Sequence, residues 1–361
     1  MKTQVVACLL LIGQATFATA QQQQETLLFE LNAYEPVPSP NGKLIAYVLT
    51  GRKLEGGSGG FGRSNLQSDV KFCDPSGQML QSSNMEGFLG EWLSDSSAVV
   101  GYRDWRFALL SPSGNRESDS MSRGRDMEAL VLKEMPERVA YLSKVHKFVW
   151  LEYTDTSTIL QTTVGPMAEF EGMPVRTSAV IVPSPDERYL AMGELSPGRS
   201  LWVYDTVKKT LANLGSLTIH PDPEWDYIKP SWNPWFADGK HLAFFSGASL
   251  YVTTPDGKER RKLLQAEHGG LAIPSPDGTL VAYATSSPRP RKVRKDLNFW
   301  GASTLWIVPS GGGAPTQITR ASEDETYDLR WLTQDSLIFD RISEGLFNGH
   351  ARIWTVSLAN R

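Results

Sequence analysis

One short hairpin recurs along this 361-residue chain, and no other feature constrains the fold as much. Residues 37–47 read VPSPNGKLIAY, 182–192 VPSPDERYLAM, 235–245 WFADGKHLAFF and 272–283 AIPSPDGTLVAY. Weaker copies are WLSDSSAVVGY (92–102) and WLTQDSLIFDR (331–341). Each copy joins two short apolar strands through a turn of Ser, Pro, Asp or Gly. Proline presets φ, and Asp, Asn or Gly accept the corner of a tight turn. A third strand follows: SDVKFCD (68–74), SLWVYDT (200–206), SLYVTTP (249–255), TLWIVPS (304–310) and RIWTVSL (352–358). Short fourth strands, KTLANL, RKLLQA and PTQITR, close several units.

The repeat is therefore four antiparallel strands, A to D. Its turns centre on Asn41, Asp95, Met135, Asp186, Asp238, Asp277 and Gln334. Four strands in a repeat of roughly 40–50 residues predict an all-β propeller of seven blades, each burying its faces against its neighbours. The third unit is the least regular. MEALVLKEMPERVAYL (127–142) is read as two strands, with KFVWLEY (147–153) as the third; read instead as a helix, it leaves six blades. ETLLFELN (25–32) is expected to supply the outer strand of the last blade, closing the ring and covering a sheet edge.

The S-P-D-G-x-x-[ILV]-A-[YF] hairpin and the following [IL]-[WY]-V strand resemble TolB-like, WD-repeat-like propellers. They also resemble the N-terminal propellers of prolyl-oligopeptidase-type peptidases. The resemblance covers 26–361 and implies the fold. The α/β domain that precedes the TolB propeller and the hydrolase domain of the peptidases have no counterpart in the pattern. Neither colicin import nor peptidase activity is therefore implied.

Residues 1–20 have the form of a secretory signal: Lys2, the apolar run VVACLLLIG and the small-x-small site Ala18-Thr19-Ala20. Residues 21–25 are read as a flexible N-terminus and 26–361 as a single propeller domain. The expected location is periplasmic or secreted. No apolar run is long enough for a transmembrane helix. With the signal removed, Cys73 is the sole cysteine and is read as a half-buried strand residue. The chain carries 36 basic and 40 acidic residues; losing Lys2 takes the net charge from −4 to −5. Without a basic, aromatic-laced stripe, nothing points to nucleic acid.

The glycine-rich stretch EGGSGGFGR (55–63) holds both G-x-S-x-G (Gly56, Ser58, Gly60) and G-x-G-x-x-G (Gly57, Gly59, Gly62). Either motif needs a helix after it, and GGFGRSNLQSD has no helical period. The stretch is a B–C loop. B–C and D–A connections share one face of a propeller. The long B–C loops are 51–68, 286–303 and 343–351, in blades one, six and seven, which ring closure makes neighbours.

The blade-six loop holds Arg289, Arg291, Lys292, Arg294 and Lys295, followed by Phe299 and Trp300. Phe61, Arg63 and Phe347 come from the other two loops. Glu323, Asp324 and Glu325 lie in SEDETYD (322–328), read as the D–A loop between blades six and seven. Aromatic and Arg side chains carry most binding energy at interfaces. The expected function is a non-catalytic scaffold for a protein partner in the cell envelope, through this sector. The bland alternative is a solvated loop whose charge the acidic loop neutralises.

Two other readings stay open. His220 and Asp222, with Glu224 and Asp226 near them, join His268 and His350 on the same face as ligands for a divalent metal. That would suit a metal-dependent lyase or hydrolase of an acidic polysaccharide. No H-x-H or H-E-x-x-H spacing supports it, and no other cofactor is expected. The third reading is a sensor for a small ligand in the central channel.

Overall fold

The computed structural model describes residues 25–29, 33–52, 66–80, 88–92, 99–103, 106–112, 116–117, 140–142, 144–145, 147–154, 156–162, 164–171, 179–194, 199–219, 232–286, 303–320, 322, 325–343 and 350–358. Among these residues every regular element is a strand, and all pairing between named strands is antiparallel.

Seven sheets follow one another along the chain. Sheet 1 is β2 (Ala33–Pro38), β3 (Ile45–Arg52) and β4 (Leu66–Cys73); sheet 2 is β5 (Phe88–Trp92), β6 (Val99–Arg103), β7 (Arg106–Leu110) and β8 (Arg116–Glu117). Sheet 3 is β9 (Ala140–Leu142), β10 (Lys147–Tyr153), β11 (Ser157–Thr162) and β12 (Gly165–Glu171); sheet 4 is β13 (Ala179–Pro183), β14 (Tyr189–Glu194), β15 (Arg199–Asp205) and β16 (Thr210–Leu217). Sheet 5 is β17 (Leu242–Ser246), β18 (Ser249–Thr253) and β19 (Arg260–Gln265); sheet 6 is β20 (Ala272–Pro274), β21 (Leu280–Ser286), β22 (Ser303–Pro309) and β23 (Thr316–Gln317). Sheet 7 is β24 (Glu325–Thr333), β25 (Ser336–Ser343) and β26 (His350–Ser357), with β1 (Glu25–Phe29) on its outer edge. In sheet 5 the inner position is held by Trp235, bridged to Leu242.

Consecutive sheets touch through their inner strands, and sheet 7 returns to touch β2. The apolar clusters lie between sheets. One joins sheets 3 and 4 around Leu160 and Met192, another joins sheets 5 and 6 around Phe245 and Tyr283, and a third joins sheets 7 and 1 around Ile45, Tyr47 and Ile338. Both faces of most sheets are thereby covered, which gives strands such as β17 their nearly unbroken burial. It also buries Cys73 completely, against the half-buried expectation.

The N-terminal strand closes the ring as expected. Thr26 pairs with Thr355 and Leu27 with Trp354. Glu25 holds the buried guanidinium of Arg341 through two hydrogen bonds, one of 3.2 Å from Nη2 to Oε1. That guanidinium lies 5.0 Å over the Phe339 ring and 5.7 Å over Trp354.

The hairpin motif acts identically wherever it is complete. In sheets 1, 4 and 6 the motif serine (Ser39, Ser184, Ser275) donates its hydroxyl to the turn Asn or Asp (Asn41, Asp186, Asp277) at 2.8, 2.6 and 2.7 Å. It then accepts the N–H of Leu44, Tyr189 and Leu280 at 3.0, 2.9 and 3.0 Å. The turn's last corner has positive φ, +73° at Gly278. Sheet 4 places Glu187 there at +56°, and its carboxylate accepts the backbone N–H of Lys144 from sheet 3 at 2.9 Å.

A second repeated device was not foreseen. Trp92, Trp235 and Trp331, in sheets 2, 5 and 7, each donate the indole N–H to an inner-strand carbonyl of the preceding sheet: Val37 at 2.7 Å, Val182 at 2.9 Å and Ile273 at 3.1 Å. Each acceptor is the residue before a V-P or I-P proline. Inner strands are sheet edges, and the indole brings a donor from the next sheet to a carbonyl, which has two lone pairs to offer.

The third unit corrects the sequence reading. KFVWLEY is the second strand of sheet 3, not its third, and the first turn lies at Lys144–Val145 rather than at Met135. The turn SKVH has neither Pro, Gly nor Asp, so it offers no punctuation, whereas Pro136 does.

Candidate functional site

The three long B–C connections spring from defined ladder ends. They leave sheet 1 at Arg52–Leu66, sheet 6 at Ser286–Ser303 and sheet 7 at Ser343–His350. Sheets 6, 7 and 1 are contiguous: Trp331 ties 7 to 6, and the Ile45–Ile338 cluster ties 7 to 1. The three connections therefore rise from neighbouring sheets at the same end.

The residues expected to carry binding there fall outside the described residues: Arg289, Arg291, Lys292, Arg294, Lys295, Phe299, Trp300, Phe61, Arg63, Phe347, Glu323 and Asp324. His220 and Asp222 do too. Glu325 opens β24 and His350 opens β26, so their backbones sit at the expected end; their side chains are outside the description.

Beneath this sector lies a polar layer the sequence did not reveal. SEDETYD is not a loop throughout, because β24 begins at Glu325. The ladder is irregular between Thr326 and Leu329, which places Asp328 opposite Asp340. Asp328 donates its backbone N–H to the Asp340 carboxylate at 2.8 Å, and both are 1% exposed. Two buried cations lie in the same strands, Arg341, held by Glu25, and Arg330, towards the A–B turn. The Ser303 and Thr326 hydroxyls, 2.9 Å apart, link sheet 6 to sheet 7. Paired polar groups make a strand of D-L-R and D-R look like loop in sequence, although it is interior.

His268 is the one expected metal ligand whose side chain is described. It sits on the connection from sheet 5 to sheet 6, where the chain is pressed against two strand ends. A Cβ on Gly269 would lie 2.1 Å from the Gly247 carbonyl oxygen, and one on Gly270 would lie 1.9 Å from that of Ala284. Its Nε2 is 3.6 Å from the Glu267 carboxylate, an ion-pair separation too long for a hydrogen bond. Among the described residues no three His, Cys, Asp or Glu side chains gather to hold a metal.

The opposite end of the ring holds a cavity of about 660 Å³. The A–B turns of sheets 1, 4 and 6 line it, together with Trp92, Trp235 and Trp331. This is where a small ligand in the channel would sit, on the turn face rather than the loop face. The lining tryptophans have at most 9% of their surface exposed, and their N–H groups are committed to the neighbouring sheet.

No protein-family model matches the chain, and no curated protein matches its sequence. Solved structures match its shape. An oligogalacturonate lyase in complex with manganese is 12% identical with a TM-score of 0.55, each chain covered to 93%. An oligogalacturonate lyase from Vibrio parahaemolyticus is 11% identical with a TM-score of 0.57, each covered to 94%. The Cps50 β-propeller domain of Myceliophteria thermophila is 13% identical with a TM-score of 0.53, covering 92% of this chain and 99% of that one. Among the described residues no helix is long and apolar enough to cross a membrane. At such identities the likeness concerns architecture, and what it establishes for this chain is a β-propeller fold.

Proposed function

We propose that this chain is an exported, non-catalytic propeller that binds an acidic protein partner in the cell envelope, through the B–C connections of sheets 6, 7 and 1. One observation carries the reading: the ladder ends Arg52–Leu66, Ser286–Ser303 and Ser343–His350 belong to contiguous sheets. The three long segments, one of them with five cations in seven residues, thus begin and end on neighbouring sheets. Long connections on a rigid scaffold are where binding residues concentrate. The fold suits the role, since propellers include non-enzymatic domains as well as enzymes.

The test is cross-linked capture from envelope extract, comparing the chain with a variant whose residues 288–297 are replaced by a short Gly/Ser turn. The expected result is a partner captured by the first and lost by the second. Equal capture by both would contradict the reading.

A second reading, a metal-dependent lyase acting on an acidic polymer, draws on His268 and on the position of His350 at the same end. The manganese-bound lyase shares only its fold with this chain. Elemental analysis separates the two: the scaffold reading expects no stoichiometric metal in the purified protein, and one bound transition metal per chain would favour the lyase.

A further inference from the structure

Four large apolar side chains are exposed among the described residues: Met79 at 55%, Val145 at 51%, Val164 at 73% and Val207 at 71%. Single exposed apolar residues are ordinary, and three of these stand close together. Val145 lies in the A–B turn of sheet 3, Val164 in its C–D turn, Val207 in the C–D turn of sheet 4, and Met79 just past that of sheet 1. All four therefore stand on the turn face, opposite the long loops, and three stand on the adjacent sheets 3 and 4.

Cations flank them. Lys144 precedes Val145, and Lys208 and Lys209 follow Val207, all exposed. The acidic groups of this end, Asp186, Glu187 and Asp205, keep their charge but are outnumbered by Lys144, Arg188, Lys208 and Lys209. Asp205 accepts the backbone N–H groups of Val207 and Lys208, both at 3.0 Å, and Asp186 accepts the Ser184 hydroxyl and the Arg188 N–H. The two sheets are fixed to each other at this end, because Lys144 donates from Nζ to the Asp186 carbonyl and from its backbone N–H to Glu187. Exposed valine and lysine thus stand on a base fixed between two sheets.

We propose that the turn face of sheets 3 and 4 docks on an anionic lipid surface, with Val164 and Val207 entering the headgroup layer and Lys208 and Lys209 meeting the lipid charge. The arrangement fits a lipid surface better than a protein. Two strand spacings separate the two turns of a sheet, about 10 Å. The apolar groups are thus discrete convex tips, without the aromatic anchors and pocket that a protein hot spot uses. A fluid interface accepts separate tips, and basic side chains near it gain from its negative potential. Docked this way, the loop face of sheets 6, 7 and 1 points away from the bilayer. The inference stands on observations independent of the scaffold reading.

The experiment is co-sedimentation with vesicles of phosphatidylcholine alone and of phosphatidylcholine with one third phosphatidylglycerol, at low and half-molar salt. The native chain should sediment with the anionic vesicles, less so at high salt, and stay in solution with the neutral ones. Lys208→Glu/Lys209→Glu should weaken partitioning by about 30-fold or more, from the usual gain per basic residue at such a surface. Val164→Asp/Val207→Asp should abolish it. These positions are exposed, so far-UV spectrum and melting temperature should not change; should a variant melt early, Val164→Ser/Val207→Ser replaces it. All proteins compared share one N-terminus, so any leader left on the chain contributes equally. No sedimentation of the native chain, or sedimentation that the substitutions leave unchanged, would overturn the proposal. So would loss of binding to a soluble protein with vesicle binding intact.

Discussion

The indole N–H of Trp235 donates to the Val182 carbonyl across the seam between sheets 4 and 5. Trp235→Phe keeps most of the ring and deletes this donor in a site where Trp235 is 5% exposed. Losing one such hydrogen bond costs about 0.5–1.5 kcal/mol. Urea unfolding should show a loss of that size with an unchanged slope; no loss would mean that water replaces the indole freely. Cys73 makes a different point. Its thiol is pushed up to about 12, first by burial and then by the charge of Asp74. The native protein should therefore resist thiol reagents at pH 8 and react only when urea unfolds it. The alternation in DVKFC was sufficient to place this residue on a strand. It was not sufficient to show that the strand's other face is covered too, because the covering sheet lies far along the chain.

Among the elements, the hairpins were the most legible. Their Ser-Pro-Asp-Gly chemistry is local, so sequence alone reports it. Sheet 3 was misplaced by one strand because its turn carries neither Pro, Asp nor Gly, and the inner tryptophans were quoted in the hairpin copies but their role was missed because each acts across sheets. The turn aspartates make a prediction. Hydrogen bonds hold the carboxyls of Asp205, Asp238 and Asp277 below the ordinary range, even though burial alone would raise them. In Asp74 the hydrogen bond from Ser76 is the main cause. A depressed carboxyl stabilises the fold above its unfolded value, about 3.9, and this contribution is lost as pH falls through the folded values. Melting temperature should hold from pH 7 to about 5 and drop below about 4; a rise on acidification would contradict this. The closing strand makes another. Glu25→Ala leaves the Arg341 guanidinium, 7% exposed, without its carboxylate. Removing one partner of such a buried pair costs about 3–5 kcal/mol, and a chain shortened to begin at Asn32 should lose more. An unchanged melting curve for the shortened chain would sink the idea that β1 secures the ring.

At the scale of the molecule the two ends of the ring differ. One carries tight, self-satisfied turns with valine and lysine at their tips, and the other carries the long connections. The sequence placed those connections on neighbouring blades by counting repeats, and the ladder ends put them on contiguous sheets. It could not show the buried Asp328–Asp340 contact beneath them, because charged residues in a strand are indistinguishable from loop until their partners are known. The binding sector is the central claim, and hydrogen exchange of the chain with and without its cross-linked partner tests it most directly. Protection should appear at the ladder ends near Leu66, Ser303 and His350 and leave the turns of sheets 3 and 4 unaffected. Protection confined to the turn face, or spread evenly around the ring, would contradict it.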